Sequence, residues 1–481
     1  MQMGVWISLS AYFLLMIAIG VYAWRKSTSN SEEYILGGRD LGPSVTALSA
    51  GASDMSGWLL LGLPGALFVA GLSQAWIGVG LVLGAWANWL IVAPRLREQT
   101  EFYDSLTIPG FLGKRFPSTE RLLRMVSAII IVVFFAVYTA SGLVGGGKLF
   151  ASAFGGDYMV GISLTLGIVL VYTVIGGFLA VSLTDFVQGC IMMLALVIMP
   201  IVILTSDGSS ASEAAARVTA IDPEFFSLSK GVTAIGWISA MAWGLGYFGQ
   251  PHIIVRFMAI RSVKDVPAAR RIGMSWMIVS LAGALAVGVF GRAYALRTGL
   301  EVADPETIFI LLSDLLFHPL VTGFLYAALL AAIMSTVSSQ LLVASSSLTE
   351  DIYHALMKRD ASERELVNIG RLAVLAVGVV ALIIAADPES EVLGLVANAW
   401  AGFGAAFGPL IVLSLTWKRM TGAGAVAGLI VGAVTVIAWI AMGLSSTIYE
   451  IVPGFIASFL AIVAVSMATA DQGEYRHQKL A

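Results

Sequence analysis

Ala47-Leu-Ser-Ala-Gly-Ala-Ser-Asp-Met-Ser-Gly-Trp58 lies inside an apolar stretch long enough to cross a membrane, yet it is rich in small polar residues and carries one acid, Asp54. No other charged side chain occurs between Asp40 and Arg95. A carboxylate at that depth costs about 2.5–3.5 kcal/mol or more unless partners compensate it. Gly51, Ser53, Ser56 and Gly57 are weak helix formers, so the stretch predicts a helix broken where the acid sits. Broken backbone at membrane depth is tolerated only where protein covers it or where it lines a cavity. Freed carbonyls and hydroxyls beside a carboxylate suit a small hard cation.

The rest of the chain supplies the setting. Of 481 residues, 58% are hydrophobic and 12% charged, against roughly 25% charged in ordinary soluble domains. The composition predicts an all-α polytopic membrane protein, with the lipid bilayer as its surroundings. Apolar windows of about 20 residues, enough to span, fall at 3–24, 43–70, 74–97, 121–150, 157–178, 181–204 and 231–258. Others follow at 270–294, 317–345, 366–386, 391–416, 421–443 and 448–469, which makes thirteen transmembrane helices. An odd number puts the termini on opposite sides. With the N-terminus outside, the cytoplasmic segments take all of the 27 lysines and arginines except Lys148, Arg217, Lys230, Arg292 and Arg297. In that count Arg256 belongs to a cytoplasmic loop. This asymmetry is the positive-inside pattern, and it predicts an outside N-terminus and a cytoplasmic C-terminus.

Several classes are excluded by what is scarce. The single cysteine, Cys190, rules out an internal disulfide, and the four histidines lack metal-ligand spacing. The basic loops are topology determinants and call for no nucleic acid. No basic region precedes the first apolar run, which reads as a retained helix. The polar tail after Met467 is too short to fold alone, and no catalytic domain or obligatory protein partner is evident.

A second weak helix answers the first. Trp243-Gly-Leu-Gly-Tyr-Phe-Gly-Gln-Pro251 puts three glycines and a proline in the middle of a spanning window, and proline removes a backbone hydrogen bond. The two interrupted helices each begin a block of five windows, 43–204 and 231–416, so the second block is inverted relative to the first. Paired interruptions at matching places in two halves point to a transporter's midplane binding site. The chain divides accordingly into a first helix and cytoplasmic loop (1–42), repeat 1 (43–204), an external loop (205–230), repeat 2 (231–416) and two terminal helices with a tail (417–481). A third polar patch, Ala331-Ala-Ile-Met-Ser-Thr-Val-Ser-Ser-Gln340, places hydroxyls around one turn at membrane depth. The other deep acid is Asp185, nearer the cytoplasmic end of its helix.

Tyr34-Ile-Leu-Gly-Gly-Arg39, Thr46 to Trp58, Gly244-Leu-Gly-Tyr-Phe-Gly-Gln-Pro-His252, Ala331-Ala-Ile-Met-Ser-Thr336 and Trp400-Ala-Gly-Phe-Gly-Ala-Ala-Phe-Gly-Pro409 together resemble the sodium/solute symporter family. The resemblance implies a LeuT-type core of two inverted five-helix repeats, with one helix before it and two after. It implies sodium as the co-transported ion, L-proline as the solute and a bacterial inner membrane as the location. It also implies sodium ligands at the carbonyls of Ala52, Met55 and Ala332 and the hydroxyls of Ser335 and Thr336. Asp54 and Ser56 would belong to the sodium and substrate-coupling region, and Tyr138, Trp243, Tyr247 and Pro251 to the substrate pocket. Asp185 and Arg39 would be coupling or gating residues.

Read from the residues alone, plainer roles remain open. The Ser335–Ser339 hydroxyls also suit helix packing, Trp243 and Tyr247 suit an aromatic core, Asp185 a helix cap, and Arg39 a headgroup anchor. Other functions stay open as well: symport of a different small solute, or a solute-sensing transceptor. A passive channel fits two interrupted helices poorly, and an enzyme lacks a deep nucleophile–base pair.

Overall fold

A computed structural model describes residues 3–26, 30–206, 208 and 210–469, with the side chain of residue 175 left aside. The polar tail beyond residue 469, with Arg476 and Lys479, lies outside the described residues. Among those described the chain is helical throughout and has no strand; Leu41 and Ile260 form an isolated parallel bridge.

Ten of these helices are long and apolar enough to cross a membrane, and a bent pair, Pro43–Asp54 with Gly57–Ala70, makes an eleventh. The thirteen windows differ from that count at two places. Tyr158–Val174 is a shorter apolar helix, and window 231–258 is divided into Ala234–Met241, a 3-10 turn Ala242–Gly249 and Pro251–Ala259. None of the three pieces of the divided window reaches the roughly 20 residues of a straight span.

The first break falls where the sequence places it. Helix Pro43–Asp54 stops at Met55 (φ −82, ψ 78), and Ser56 turns extended (φ −74, ψ −163). The chain resumes as Gly57–Ala70 at 71° to the first half. The Ser56 side chain accepts from the Trp58 N–H and so caps the new start. At the second break Gln250 is extended (φ −83, ψ 104) and Pro251 opens the next helix, the position where its missing N–H costs nothing. A third kink separates 158–174 from Gly176–Ser206, because Gly177 has φ 59 and ψ −155. Only glycine takes that conformation readily, and a Cβ there would also lie 2.9 Å from the Tyr34 carbonyl oxygen.

Burial identifies the centre. Of the apolar window in Pro319–Met357, 83% is buried, against 28% in Met3–Lys26. The former is packed on all sides; the latter exposes Trp6, Ile7, Leu14 and Ile17 on an apolar outer face, as a lipid-facing helix does. The two broken helices lie against this centre.

One reading is corrected. Arg256, counted with the cytoplasmic loops, is fully buried. Helix Pro251–Ala259 is apolar on both sides of it, so the side chain has no water to reach and finds its partner inside the protein.

Candidate functional site

The first break and the middle of Pro319–Ser346 meet through oxygen atoms. Ser335 Oγ donates to the Ala52 carbonyl at 2.8 Å and to the Ala332 carbonyl at 3.2 Å. Thr336 Oγ1 lies 3.3 Å from both carbonyls. All four residues are buried. The Ala52 carbonyl is available because the helix ends at Asp54, which leaves carbonyls in its last turn without an N–H partner. Met55, the first residue beyond the helix, lines the same cavity as Asp54.

Asp54 is 3% exposed. Its Oδ2 accepts a hydrogen bond from the Tyr247 hydroxyl, while its Oδ1 has no protein partner. Its carbonyl accepts from Ser56 N at 2.9 Å and Trp58 Nε1 at 3.3 Å. The cavity beside it is walled by Trp89 and Trp276 and also holds Asn88, whose Oδ1 is likewise buried without a partner. Sequence reasoning missed Asn88. A lone amide in the apolar run 75–97 was the available signal.

The aromatic residues divide. Tyr247 joins the Asp54 carboxylate to Trp400, whose ring it meets edge-on at 5.0 Å and 86°. Trp400 Nε1 donates to the Trp243 carbonyl at 2.7 Å, and the Trp400 carbonyl accepts from Gln250 at 3.1 Å. Trp400 therefore bridges the second break. Gly246 leaves it room, since a Cβ there would stand 1.9 Å from Trp400 Nε1. The Tyr138 hydroxyl is buried without a partner, and its ring meets His252 edge-on at 5.6 Å. Pro251 lies apart from Asp54, along a separate cavity with Thr107, Val255 and Ser346.

Asp185 forms a second polar centre. Its Oδ2 accepts from Ser49 at 2.7 Å and pairs with Arg256 at 3.1 Å, both charged side chains being wholly buried. Arg256 also donates to Ser49 (3.0 Å), Ser339 (2.6 Å) and the His252 carbonyl (2.5 Å), and stacks over Phe178 at 5.2 Å. Five hydrogen-bonding groups thus knit both broken helices to Gly176–Ser206 and Pro319–Ser346. Arg256 was the main residue the loop-charge count misplaced; its position inside an apolar run was the signal.

Arg39 stands away from these centres. It sits at φ 54 and donates to the carbonyls of Thr100 (3.2 Å), Ser105 (2.6 Å) and Met258 (3.2 Å). Arg97 reinforces this end through Ile260 O at 2.6 Å. The far end is fastened by Lys148, which pairs with Asp304 and Glu306 at 2.8 Å each. Glu306 in turn accepts from the N–H groups of Val392 and Leu393 at 3.0 Å.

The model of the family described as "Sodium:solute symporter family" matches residues 34–432. The "High-affinity proline transporter PutP" of Bacillus subtilis (strain 168) is 59% identical over 94% of this chain and 96% of the relative. The "Osmoregulated proline transporter OpuE" of the same organism is 56% identical over 98% and 96%. A "Sodium/proline symporter" of Staphylococcus aureus (strain NCTC 8325 / PS 47) is 52% identical over 98% and 94%. Among solved structures, an outward-open Na+-coupled sialic acid symporter superposes with a TM-score of 0.83 at 20% identity, covering 97% of this chain and 98% of that one. Mhp1, a nucleobase-cation-symport-1 family transporter, gives 0.58 at 14% identity, covering 90% and 94%. These likenesses establish a shared fold.

Proposed function

Since the chain belongs to the sodium:solute symporter family, and is thus a multi-pass transporter and not an enzyme, we propose that it couples sodium entry to uptake of L-proline by alternating access. The solute follows the names of the relatives. The single observation that carries the mechanism is the convergence of Ser335 and Thr336 on the Ala52 carbonyl. These oxygens come from the first broken helix and from the central helix of the second half.

In this reading sodium is held by the carbonyls of Ala52, Met55 and Ala332 and the hydroxyls of Ser335 and Thr336. Asp54 supplies nearby negative charge, and Ser56 fixes the start of the second half-helix. The solute carboxylate faces that helix start, where the dipole favours an anion. The proline ring lies against Trp243 and Tyr247, with Tyr138 opposite, and its secondary ammonium benefits from aromatic faces. Two buried polar atoms support the assignment: Asp54 Oδ1 and the Tyr138 hydroxyl lack protein partners, and such groups normally have one. Pro251, which lies along a separate cavity, serves the solute pocket by starting the second half-helix.

Sodium joins the two halves, so each ligand raises the other's affinity equally. An inward-moving charge gains about 2.3 kcal/mol per 100 mV of membrane potential, which drives accumulation. The Asp185–Arg256 centre and the Arg39 clamp tie moving to fixed helices and act in coupling and gating. The proposal includes thirteen spans, counting Tyr158–Val174 and the divided helix as one each. It places the N-terminus outside, the C-terminus in the cytoplasm of a bacterial cell, and inverted repeats at 43–204 and 231–416. Segment 205–230 is then an external loop, and 417–481 holds the terminal helices.

The test is uptake of radiolabelled L-proline into proteoliposomes with and without an inward sodium gradient. Gradient-dependent accumulation that Asp54→Asn abolishes supports the reading. Sodium-driven flux of another solute in its place would retain the cation cluster and overturn the proline assignment.

A further inference from the structure

The two helices after residue 416 would ordinarily serve as an outer buttress, packed on each other and on Val392–Thr416. The segment between them does something more specific. After Gly443 (φ 69) and a short 3-10 turn at Leu444–Ser446, the chain folds back toward the core. The Trp439 indole fixes this return by donating to the Ile448 carbonyl at 3.0 Å. Tyr449, the next residue, is 8% exposed.

Three contacts define its position. Its backbone N–H donates to Ser239 Oγ at 3.1 Å, and its hydroxyl donates to the Ala397 carbonyl at 2.8 Å. Its ring stacks on the ring of Trp243, with centroids 5.2 Å apart and planes inclined by 27°. Tyr449 therefore stacks on a pocket aromatic, although it lies beyond residue 432, where the family match ends.

The division of labour around Trp243 is informative. Trp400 holds its backbone through the carbonyl, but the ring is stacked by Tyr449. Helix Val392–Thr416 carries both supports, Trp400 directly and Tyr449 through the Ala397 carbonyl. An apolar side chain would fill the same space; a hydroxyl anchored to a carbonyl fixes the plane of the ring as well. Trp243 then presents a set face to whatever lies beside Tyr247.

We propose that Tyr449 is a solute-specificity residue, a positioning residue that sets the plane of the Trp243 ring and so the size of solute ring the pocket accepts. The inference rests on the assignment of Trp243 to the solute pocket. It brings the terminal helices, otherwise a buttress, into substrate selection. An aromatic stack of this kind is worth about 0.5–1.5 kcal/mol beyond simple burial, which is roughly a two- to tenfold change in a binding constant.

The experiment uses the full chain in proteoliposomes under an inward sodium gradient. It compares wild type, Tyr449→Phe, Tyr449→Leu and Tyr449→Ala. Four quantities are read: the half-saturating L-proline concentration, the maximal rate, the half-activating sodium concentration at saturating proline, and inhibition by pipecolic acid, the six-membered-ring homologue of proline. Tyr449→Leu and Tyr449→Ala should raise half-saturation by roughly two- to tenfold. They should also shift selectivity toward the larger ring, leaving the maximal rate and sodium constant within about twofold. Tyr449→Phe retains the stack but loses the anchor to the Ala397 carbonyl, so it should shift selectivity in the same direction as Tyr449→Leu and by less. A fall in maximal rate with unchanged selectivity in both the Leu and Ala variants would show a buttress and overturn the inference alone. Wild-type vesicles that accumulate no proline under the gradient would overturn the pocket assignment together with it.

Discussion

Arg256 and Asp185 form an ion pair 3.1 Å long, with neither side chain exposed. The pair joins the second broken helix to Gly176–Ser206, and Ser49 and Ser339 close the ring around it. Two charges withdrawn from water are compensated here by each other and by neutral hydrogen-bonding groups. Removing one charge while leaving the other buried costs about 3–5 kcal/mol. Asp185→Asn and Arg256→Met should each lower the thermal unfolding midpoint of the purified protein. The double variant should recover much of that loss. Losses that simply add would show that the two residues act independently.

Asp54→Asn keeps the size of the side chain and an acceptor for the Tyr247 hydroxyl, so the protein should fold. What it removes is the charge. Sodium stimulation of uptake should disappear at any proline concentration, as measured by initial rates over a sodium series. Unchanged sodium activation would sink the role given to Asp54.

Ser335→Ala and Thr336→Ala each delete one hydroxyl from the cluster around the Ala52 carbonyl. A hydrogen-bonding or ligand oxygen of this kind contributes about 1 kcal/mol, so each variant should raise half-activating sodium roughly fivefold at saturating proline. The double variant should exceed either one. If the proline constant shifted and the sodium constant did not, the cation would have to sit elsewhere.

Gly246→Ala tests the second break by geometry. The added methyl carbon would stand 1.9 Å from Trp400 Nε1, whereas nothing lies within 4 Å of a Cβ at Gly78. The first substitution must displace Trp400 from the Trp243 carbonyl and should lose most uptake at normal membrane abundance. Gly78→Ala, in the helix Ala75–Phe102, should behave as wild type. Uptake by Gly246→Ala equal to that of Gly78→Ala would show that Trp400 does not hold the break.

Asp54 and the weak helix formers around it were enough to locate the first break from sequence, because a charge in an apolar run and a loss of helix propensity are local properties. The same holds for the glycines before Pro251, the hydroxyls at Ser335 and Thr336, and the apolar windows that make this a membrane protein. Their partners were not legible. That Ser335 meets Ala52 and that Tyr247 donates to Asp54 depends on how helices separated by some 190 residues or more along the chain pack. Packing also decided against the simple use of charge: Arg256 counts as a loop cation until Asp185, Ser49 and Ser339 surround it. Arg39 holds the carbonyls of Thr100, Ser105 and Met258, and Pro251 lines a different cavity from Asp54. Composition and periodicity report the solvent each segment prefers, and here that was enough to determine an all-helical membrane protein with two broken helices. Which hydroxyl meets which carbonyl, and which ring supports Trp243, is set by contacts between distant segments, which only the folded chain brings together.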